Sequence, residues 1–375
     1  MPGIFITYYF ITMAKQVKQP DQIKYSVGND ISKEEMSVCF SQINSQQHVS
    51  IKGTRKFENN LRGWKALQNW ITRFRKIADI PLSVVVEATG VYYEGFAYYF
   101  KEQGFNVSVV LPNKSKSFAR SLNIKTKNDL VDSCILAQMG LERSLQTWKG
   151  MTDTMLKIKQ LCRERHSLRE MHTIISNQLH AHSHSHRSQK EIVKRMQKHM
   201  EFIAKQIKTI EDELQQTCAR DESLQEKVDN VCTIKGVGFM TALVVISETN
   251  GFDLIENKAQ LVSYAGYDVV ENQSGTSIKG KTRISKKGNS HIRRALYFPA
   301  LSAAAHEPKL QDIYQRIHQR NPKVKMIGAV AVQRKLLVLI YTLYKKNEPY
   351  DPKFEETKTQ EQQKSRQDSR PAYTA

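Results

Sequence analysis

KTKNDLVDSCILA, residues 125–137, places two acids, Asp129 and Asp132, at the head of an apolar helical pattern. Residues three apart share one face of a helix, so both carboxylates would point into one small volume. Taken alone, such a pair favours a plain helix N-terminus, where the helix dipole stabilises negative charge. Its meaning therefore depends on the other acids of the chain.

Two further acids lie upstream, each at the edge of a predicted strand. Asp30 stands in YSVGNDISKEEMSV, residues 25–38, and Glu87 stands in LSVVVEATGVYYEG, residues 82–95. Carboxylates bind Mg²⁺ well, and two such ions can activate a nucleophile and stabilise the leaving oxygen in phosphodiester cleavage. The four acids therefore suit an acidic metal site on an α/β scaffold.

The apolar pattern around these acids predicts three strands, followed by strands that alternate with helices. The run from 82 to 87 is almost continuously apolar, which is typical of a buried central strand. This order, with acids at two strand ends and on a helix, indicates a ribonuclease-H-like α/β domain over residues 22–149. The predicted strands are two within 22–43, then 48–53, 82–87 and 107–111. The predicted helices are about 59–78 and 92–103, followed by more than one helix over about 116–148.

The rest of the chain predicts mainly helix, which makes the fold class α/β plus all-α. Residues 150–229 contain two long helical stretches, 155–178 and 189–216, that indicate an antiparallel hairpin or coiled coil. The pattern leaves open whether it serves as a spacer, for dimerisation or to hold nucleic acid. Residues 230–348 predict a mainly helical C-terminal domain, and the polar tail 349–375 is expected to be disordered.

The chain is strongly basic, with 57 Lys and Arg against 37 Asp and Glu and a formal net charge of +20. An excess of this size indicates a polyanionic partner, most often a nucleic acid. No run of about 18 apolar residues predicts a membrane span. Five scattered cysteines without paired spacing indicate free thiols in a reducing cytosol.

Residues 1–21 are expected to form an N-terminal extension. Their apolar start, MPGIFITYYFITM, lacks the basic segment and the cleavage site of a secretory signal. The alternatives are a natural start at Met13, a loose extension of the chain and a short signal anchor.

One segment, from Glu271 to Tyr297, concentrates the positive charge. Gly, Ser, Lys and Arg alternate there with almost no apolar residue before a helix predicted from His291. The segment fits a phosphate-binding surface, and the alternative is a solvated flexible loop. Farther on, Arg334 and Lys335 lie on an apolar helix, where we expect buried charges that are paired or functional. The basic residues expected to bind nucleic acid are Lys279, Lys281, Arg283, Lys286, Lys287, Arg293 and Arg294.

Three acidic blocks, GNDISKEEMSV, VVVEATGVYYEG and IKTKNDLVDSCILA, resemble those of the DEDD-type transposases of insertion-sequence family 110. The blocks IKGVGFMTALVVISE, SGTSIKGKTRISKKGNSHIRRALY and VAVQRKLLVLIYTLY resemble the second domain of that family. The resemblance runs from about Val27 to Tyr344 in one order and spacing. It implies a RuvC-like N-terminal domain and a site-specific recombinase that moves its own element. Asn29 departs from the family, where an aliphatic residue usually precedes the first acid.

The resemblance also implies the roles of the site residues. Ser274 matches the serine that is proposed to attack DNA and form a phosphoserine link. A serine hydroxyl needs a base or a metal for such an attack, and Ser277 and Ser285 are chemically suitable substitutes. The acids that by this resemblance hold Mg²⁺ are Asp30, Glu87, Asp129 and Asp132.

The partners implied by the resemblance are nucleic acids. The family uses a structured non-coding RNA from the element to choose donor and target DNA by base pairing. We therefore expect donor DNA, target DNA and a guide RNA as partners of a homodimer or homotetramer. We expect the protein in the bacterial cytoplasm, at the nucleoid when active, without a membrane association.

Other kinds of function are consistent with parts of the pattern. A Mg²⁺-dependent RuvC-like junction nuclease would use the acids alone. A non-catalytic nucleic-acid-binding protein would show an affinity that falls steeply with salt and needs no metal. A glycosidase-like acid pair would need only two carboxylates and would leave the basic excess unexplained.

Overall fold

The fold described here is that of a computed structural model of the chain. The residues it describes are 22–88, 90–124, 126, 128–253, 255–270, 273–274, 278–279 and 283–354. The chain divides into two compact units, Met1–Gly150 and Met151–Ala375. The extension 1–21, the tail from residue 355, Ser277 and Lys281 lie outside the described residues.

The first unit is built on one mixed sheet of five strands. Its elements are β1 (Gln22–Ile31), β2 (Glu35–Asn44), β3 (Val49–Glu58), α1 (Leu61–Phe74), β4 (Leu82–Glu87), α2 (Glu94–Glu102), β5 (Asn106–Val110), α3 (Pro112–Ser121) and α4 (Asp129–Glu142). The strand order is β3-β2-β1-β4-β5. Strands β1 to β3 are antiparallel, whereas β4 runs parallel to β1 and β5 parallel to β4. This arrangement confirms the predicted ribonuclease-H-like fold.

Local sequence explains several of these elements. Helix α1 begins after Asn60, whose side-chain oxygen accepts a hydrogen bond from the Gly63 amide at 2.9 Å. Such a cap satisfies an N–H group that has no partner within the helix. The apolar run of β4 is fully buried at Val84, Val85 and Val86, as expected for a strand with neighbours on both sides.

Helix α4 lies directly against the sheet because glycines leave room at the contact. A Cβ atom on Gly28 of β1 would stand 2.1 Å from the Ser133 carbonyl oxygen and 2.2 Å from the Ala137 amide nitrogen. A Cβ atom on Gly140 would stand 2.2 Å from the Ser26 hydroxyl. The helix therefore runs antiparallel to β1, and its first turn lies at the C-terminal end of that strand.

The second unit is mainly helical. The predicted helical hairpin consists of α5 (Asp153–Ser183) and α6 (Lys190–Ala219), which pack against each other. Its core continues into the following helices and includes the buried Ile158, Leu214 and Leu243. The remaining elements are α7 (Glu222–Cys232), α8 (Phe239–Glu248), α9 (Lys258–Tyr264), β6 (Val269–Val270), β7 (Gln273–Ser274), β8 (Ile278–Lys279), β9 (Arg283–Ile284), α10 (Ser290–Ala295), α11 (Tyr297–His306), α12 (Pro308–Arg320) and α13 (Lys325–Lys346).

Helix α13 forms much of the core of the second unit. Among the described residues it is the one helix long and apolar enough to cross a membrane by length and composition alone. Its side chains Val332, Leu336 and Ile340 are fully buried among the other helices of this unit. A buried core helix can be as long and apolar as a membrane span, and the burial of these side chains is typical of such a core helix.

The expectation of buried charges on this helix was wrong. Arg334 and Lys335 are both exposed, because they lie on the face of α13 opposite its buried residues. The buried polar residue of α13 is the neighbouring Gln333, whose side-chain oxygen accepts a hydrogen bond from the Tyr267 hydroxyl at 2.8 Å. A polar group buried in this way avoids the free-energy cost of an unmet hydrogen bond.

Two predicted boundaries were also wrong. Strand β3 extends to Glu58 instead of ending near residue 53, because it pairs with β2 along its whole length. The helices predicted for 116–148 are α3 and α4, and the second of them ends at Glu142 instead of near residue 148. After α4 the chain returns along β5, where the Trp148 amide donates to the Val107 carbonyl at 2.7 Å.

We predict that Gly28→Ala destabilises the first unit by about 3 kcal/mol or more, because the added methyl group would collide with helix backbone. Chemical unfolding followed by circular dichroism measures this change. The control is Gly238→Ala, since a Cβ atom there meets nothing within 4 Å. It should cost less than about 1 kcal/mol at this helix N-cap. Equal destabilisation by the two changes would contradict the close packing at Gly28.

Candidate active site

The two strand acids lie side by side at one edge of the sheet. Strands β1 and β4 are parallel neighbours in which Asn29 pairs with Val86, so Asp30 and Glu87 come next on the two strands. Side chains alternate across a sheet, which places both acids on the face that Gly28 presents to α4. Both residues are partly buried.

The two helical acids lie at the same edge. The side-chain oxygen of Asn128 accepts a hydrogen bond from the Val131 amide at 2.8 Å, so α4 begins at Asp129. Asp129 and Asp132 therefore occupy the first turn of a helix that runs antiparallel to β1, at the strand end that carries Asp30. In the described part of the chain, however, no three acidic, His or Cys side chains are close enough together to hold a metal ion.

Polar neighbours surround these acids. The Ser115 hydroxyl donates a hydrogen bond to the Glu87 carboxylate. Lys56 lies on β3 in the same cross-strand row as Asp30, and its Nζ is 2.6 Å from a carboxylate oxygen of Glu35. The hydrogen bond and the charge of Glu35 raise the pKa of Lys56, and the charge of Asp129 adds to the increase. The ammonium group of Lys56 therefore lies within electrostatic range of Asp129.

Asn29, the departure from the family pattern, does not face the acids. Its fully buried side chain points to the opposite face of the sheet and donates to the Val27 and Val85 carbonyls at 3.2 and 3.1 Å. Its own oxygen has no hydrogen-bond partner among the described residues. The asparagine therefore changes the packing beneath β1 and removes no candidate metal ligand.

The candidate serine and the basic residues lie in the second unit. Ser274 is paired with Ile278 in the β7–β8 pair, where Lys279 faces Gln273 across the strands. Arg283 lies on β9, paired with β6, and it is exposed. The next two predicted residues, Lys286 and Lys287, are also exposed, in the turn between β9 and α10.

Two other predicted residues have contacts that bear on their roles. Arg293 donates from one guanidinium nitrogen to the Ala265 and Gly288 carbonyls at 2.8 and 3.1 Å, so it holds a turn together. The Ser285 hydroxyl donates to the Asp268 carboxylate at 2.5 Å, which is the pairing of a serine with a possible base. The same serine oxygen accepts from the Lys287 amide at 3.2 Å, so the pair also stabilises the loop.

Sequence reasoning missed a basic cavity of about 540 Å³ between α5, α8 and α10–α11. Its polar wall comes mainly from α5, a helix interpreted from sequence only as half of a hairpin. The one marker in the sequence is RERH at residues 163–166, three basic residues within one helical turn. The residues of this wall that carry charge or can acquire it are Arg163, Arg165, His166, Arg169, Glu248, His291 and Arg294.

A buried carboxylate organises this cavity. Glu248, whose side chain is 1% exposed, binds Arg163 through two hydrogen bonds of 2.7 and 3.0 Å. It also accepts from Asn289 at 2.7 Å. Burial alone would raise the pKa of Glu248, but the hydrogen bonds from Arg163 and Asn289 and the charges of Arg163 and Lys159 outweigh it and lower the pKa. Glu248 is therefore ionised at neutral pH.

The electrostatics of the cavity also affect a histidine. Burial lowers the pKa of His291, and the nearby positive groups lower it further, although the charge of Glu248 opposes them. The rings of His291 and His166 meet edge to face, with centroids 5.7 Å apart. At neutral pH His291 is thus mainly uncharged and adds little to the positive charge that the arginines give the wall.

Comparison with known proteins identifies the class. The profile of the DEDD_Tnp_IS110 transposase family matches residues 27–185, and that of the Transposase IS116/IS110/IS902 family matches residues 228–315. Proteins with these two parts are transposases, enzymes that cut and rejoin DNA. The chain belongs to the IS110 family of transposases, with a DEDD-type domain first and the family's C-terminal domain second.

Curated relatives extend along nearly the whole chain. Pilin gene-inverting proteins from Moraxella lacunata and Moraxella bovis are each 28% identical over 340 residues, covering 89% of this chain and 99% of theirs. Among solved structures, Thermus thermophilus RuvC in complex with a Holliday junction has a TM-score of 0.24 at 14% identity, over 30% of this chain and 90% of RuvC. A Ppx/GppA protein from Aquifex aeolicus has a TM-score of 0.20 at 10% identity, over 87% of this chain and 92% of its own.

The lowered pKa of Glu248 generates a prediction about pH. A carboxyl whose pKa is lower in the folded state contributes stability above its ordinary pKa near 4.5, and that contribution is lost as pH falls through the folded value. Glu248→Gln should therefore lower the free energy of unfolding at pH 7 by about 1–3 kcal/mol, and flatten its decline below about pH 4.5.

Urea unfolding at a series of pH values measures both effects. The matched control is Glu226→Gln, which changes an exposed acid in the middle of α7. It should alter the free energy of unfolding by less than about 0.5 kcal/mol at every pH. If Glu248→Gln left both the stability and its pH dependence unchanged, the buried ion pair would have no stabilising role.

Proposed function

We propose that this transposase cuts and rejoins DNA with a Mg²⁺-dependent acidic site in its first unit and a serine nucleophile, Ser274, in its second. The observation that carries the proposal is the placement of four acids on one face and at one edge of the sheet. The element-encoded RNA that selects the DNA, and the assembly of two or four copies in the bacterial cytoplasm, are further parts of the proposal.

The donor set of the first unit suits a hard divalent cation. Carboxylate oxygens are preferred ligands of Mg²⁺, which usually takes one or two of them and completes its shell with water and phosphate oxygen. Bound there, Mg²⁺ would polarise a phosphodiester and stabilise the developing charge. One or two of the four acids would bind it directly and the others through its water ligands, and the hydrogen bond from Ser115 would orient the Glu87 carboxylate. The positive charge of Lys56 would attract the Asp129 carboxylate.

The serine step exchanges one phosphodiester for another. The Ser274 oxygen forms a bond to phosphorus, while the bond from phosphorus to one deoxyribose oxygen breaks. The serine proton passes to a base, and the leaving oxygen takes up a proton and becomes a sugar hydroxyl. Because the phosphoserine link keeps the ester energy, a hydroxyl of another strand can reverse the step and rejoin the DNA.

Basic side chains that follow the serine in the sequence would neutralise the phosphate during this step. Arg283, Lys286 and Lys287 are exposed in the segment that follows β8, where they are accessible to a phosphodiester. Positive groups placed around a reacting phosphate typically supply much of the stabilisation of its transition state. The hydrogen bond between Ser285 and Asp268 makes Ser285 the second candidate nucleophile, because its proton already has an acceptor.

A trapping assay tests the proposal. The protein, the RNA of its element and labelled donor DNA are incubated with Mg²⁺ and denatured, and DNA attached to protein is measured. We expect an adduct with the wild type and none with Ser274→Ala. Asp129→Asn should also abolish the adduct while leaving RNA affinity unchanged, because the acidic site acts in the chemistry and not in RNA binding.

Matched variants separate the alternatives. Asp79→Asn changes an exposed acid just before β4, at the end of that strand opposite Glu87, and should leave the adduct intact. An adduct that survives Ser274→Ala but is lost in Ser285→Ala would move the nucleophile to Ser285. Clean cleavage without any adduct would favour a nuclease that uses the acids alone. Salt-sensitive binding without cleavage would leave only a nucleic-acid-binding role.

A further inference from the structure

The basic cavity of the second unit has a strongly asymmetric charge. Four arginines reach its wall, against the single carboxylate of Glu248, which is already bound to Arg163. Three of these arginines lie on α5 within two helical turns, and the fourth comes from α10. The four arginines are Arg163, Arg165, Arg169 and Arg294. A wall of this kind is suited to an anion that accepts several hydrogen bonds.

The cavity continues as a groove along α5. A second depression shares His166 and Arg169 with the cavity, and a third shares Arg169 and Thr173 with the second. The third is also lined by His172 and by residues of α6. The three depressions share lining residues along α5, and basic or imidazole side chains recur in each of them, with Glu170 as the acid of the second. Such a row of positive groups suits the regularly spaced phosphates of a nucleic-acid strand.

An exposed aromatic ring also lines the cavity. Phe298, on α11, is 75% exposed and is the most exposed large apolar side chain among the described residues. Its ring meets that of Tyr297 edge to face, with centroids 5.1 Å apart, so the exposed ring is held by a neighbour. An exposed aromatic ring that lines a cavity together with arginines is typical of surfaces on which unpaired bases stack.

We propose that this groove binds a single strand of nucleic acid, with one unpaired base stacked on Phe298 and the adjoining phosphates bound by Arg294 and Arg169. The inference rests on the proposed function only in taking a nucleic acid as the partner, and it does not depend on Ser274. Phosphate and base chemistry are common to DNA and RNA, so either could supply the strand.

The groove is organised before a ligand binds. Two carboxylates position its arginines. A guanidinium nitrogen of Arg165 lies 2.6 Å from a Glu211 carboxylate oxygen, and one of Arg294 lies 3.4 Å from a carboxylate oxygen of Glu170, which lines the second depression. Arg294 also donates to His166 Nε2 at 2.6 Å. Side chains held in this way lose less conformational entropy on binding, which favours affinity. Arg294 and Phe298 line the same cavity, which lets one nucleotide contact both.

The test measures the affinity of the full-length protein in EDTA, so that cleavage does not interfere. The probes are labelled single-stranded DNA of about 12 nucleotides, RNA of the same sequence and the DNA duplex. We expect Phe298→Ala to weaken single-strand binding about 5- to 100-fold, whereas Phe298→Trp retains it. The affinity of Phe298→Ala for the DNA duplex should differ from that of the wild type by less than about twofold, because paired bases are already stacked on each other.

The salt dependence tests the phosphate contact separately. Arg294→Ala should reduce the slope of log K against log salt by about 0.7 for a single strand, the value for one lost phosphate contact. The matched controls are Phe202→Ala, an aromatic residue 60% exposed on α6, and Arg316→Ala, an exposed arginine on α12. Neither should change the affinity or the slope.

The outcomes separate this inference from the serine mechanism. A loss confined to DNA or to RNA supports the groove and identifies which strand it holds. Unchanged single-strand affinity in Phe298→Ala, or an equal loss in the controls, would overturn the inference and leave Phe298 to a protein partner. Because no chemistry occurs in EDTA, a failed covalent trapping experiment would leave this result standing, and the reverse also holds.

Discussion

The close approach of α4 to β1 at Gly28 is the constraint on which the first unit depends. Without a Cβ atom at this position, the helix backbone can lie against the strand, and the contact fixes both the distance and the direction of the helix. That direction brings Asp129 and Asp132 to the strand end where Asp30 and Glu87 lie. Gly28 therefore also positions the acidic site, because it allows the close approach of the helix that carries two of the four acids.

The fold of this unit could be predicted because its signals are local. The apolar run before Glu87 and the acids at strand ends each lie within one element. The local sequence pattern is therefore enough to predict the strands and the ends at which the acids lie. The basic cavity could not be predicted in the same way, because its central pair, Arg163 and Glu248, is separated by 85 residues. A retrospective signal exists at Glu248, an acid that ends the apolar helix α8, where an unpaired buried charge would be very costly.

The error on α13 has a physical reason. Averaged hydropathy marks the whole helix as apolar, but only the side chains on one face are buried, and Arg334 and Lys335 lie on the other. A long charged side chain can also cover apolar surface with its methylene groups while its charge stays in water. The side chain on this helix that needs a buried hydrogen-bond partner is Gln333, which is polar but uncharged.

The division of the chain into two units has a consequence for the proposed chemistry. The acids belong to the first unit and Ser274 to the second, so neither unit alone would hold all the groups of the reaction. Cleavage would then require groups from both units, within one copy or between copies. The binding of DNA by both units would therefore have to precede cleavage. A groove for a single strand in the unit that carries Ser274 fits this requirement. A strand released from its duplex would be held there until the strands are rejoined.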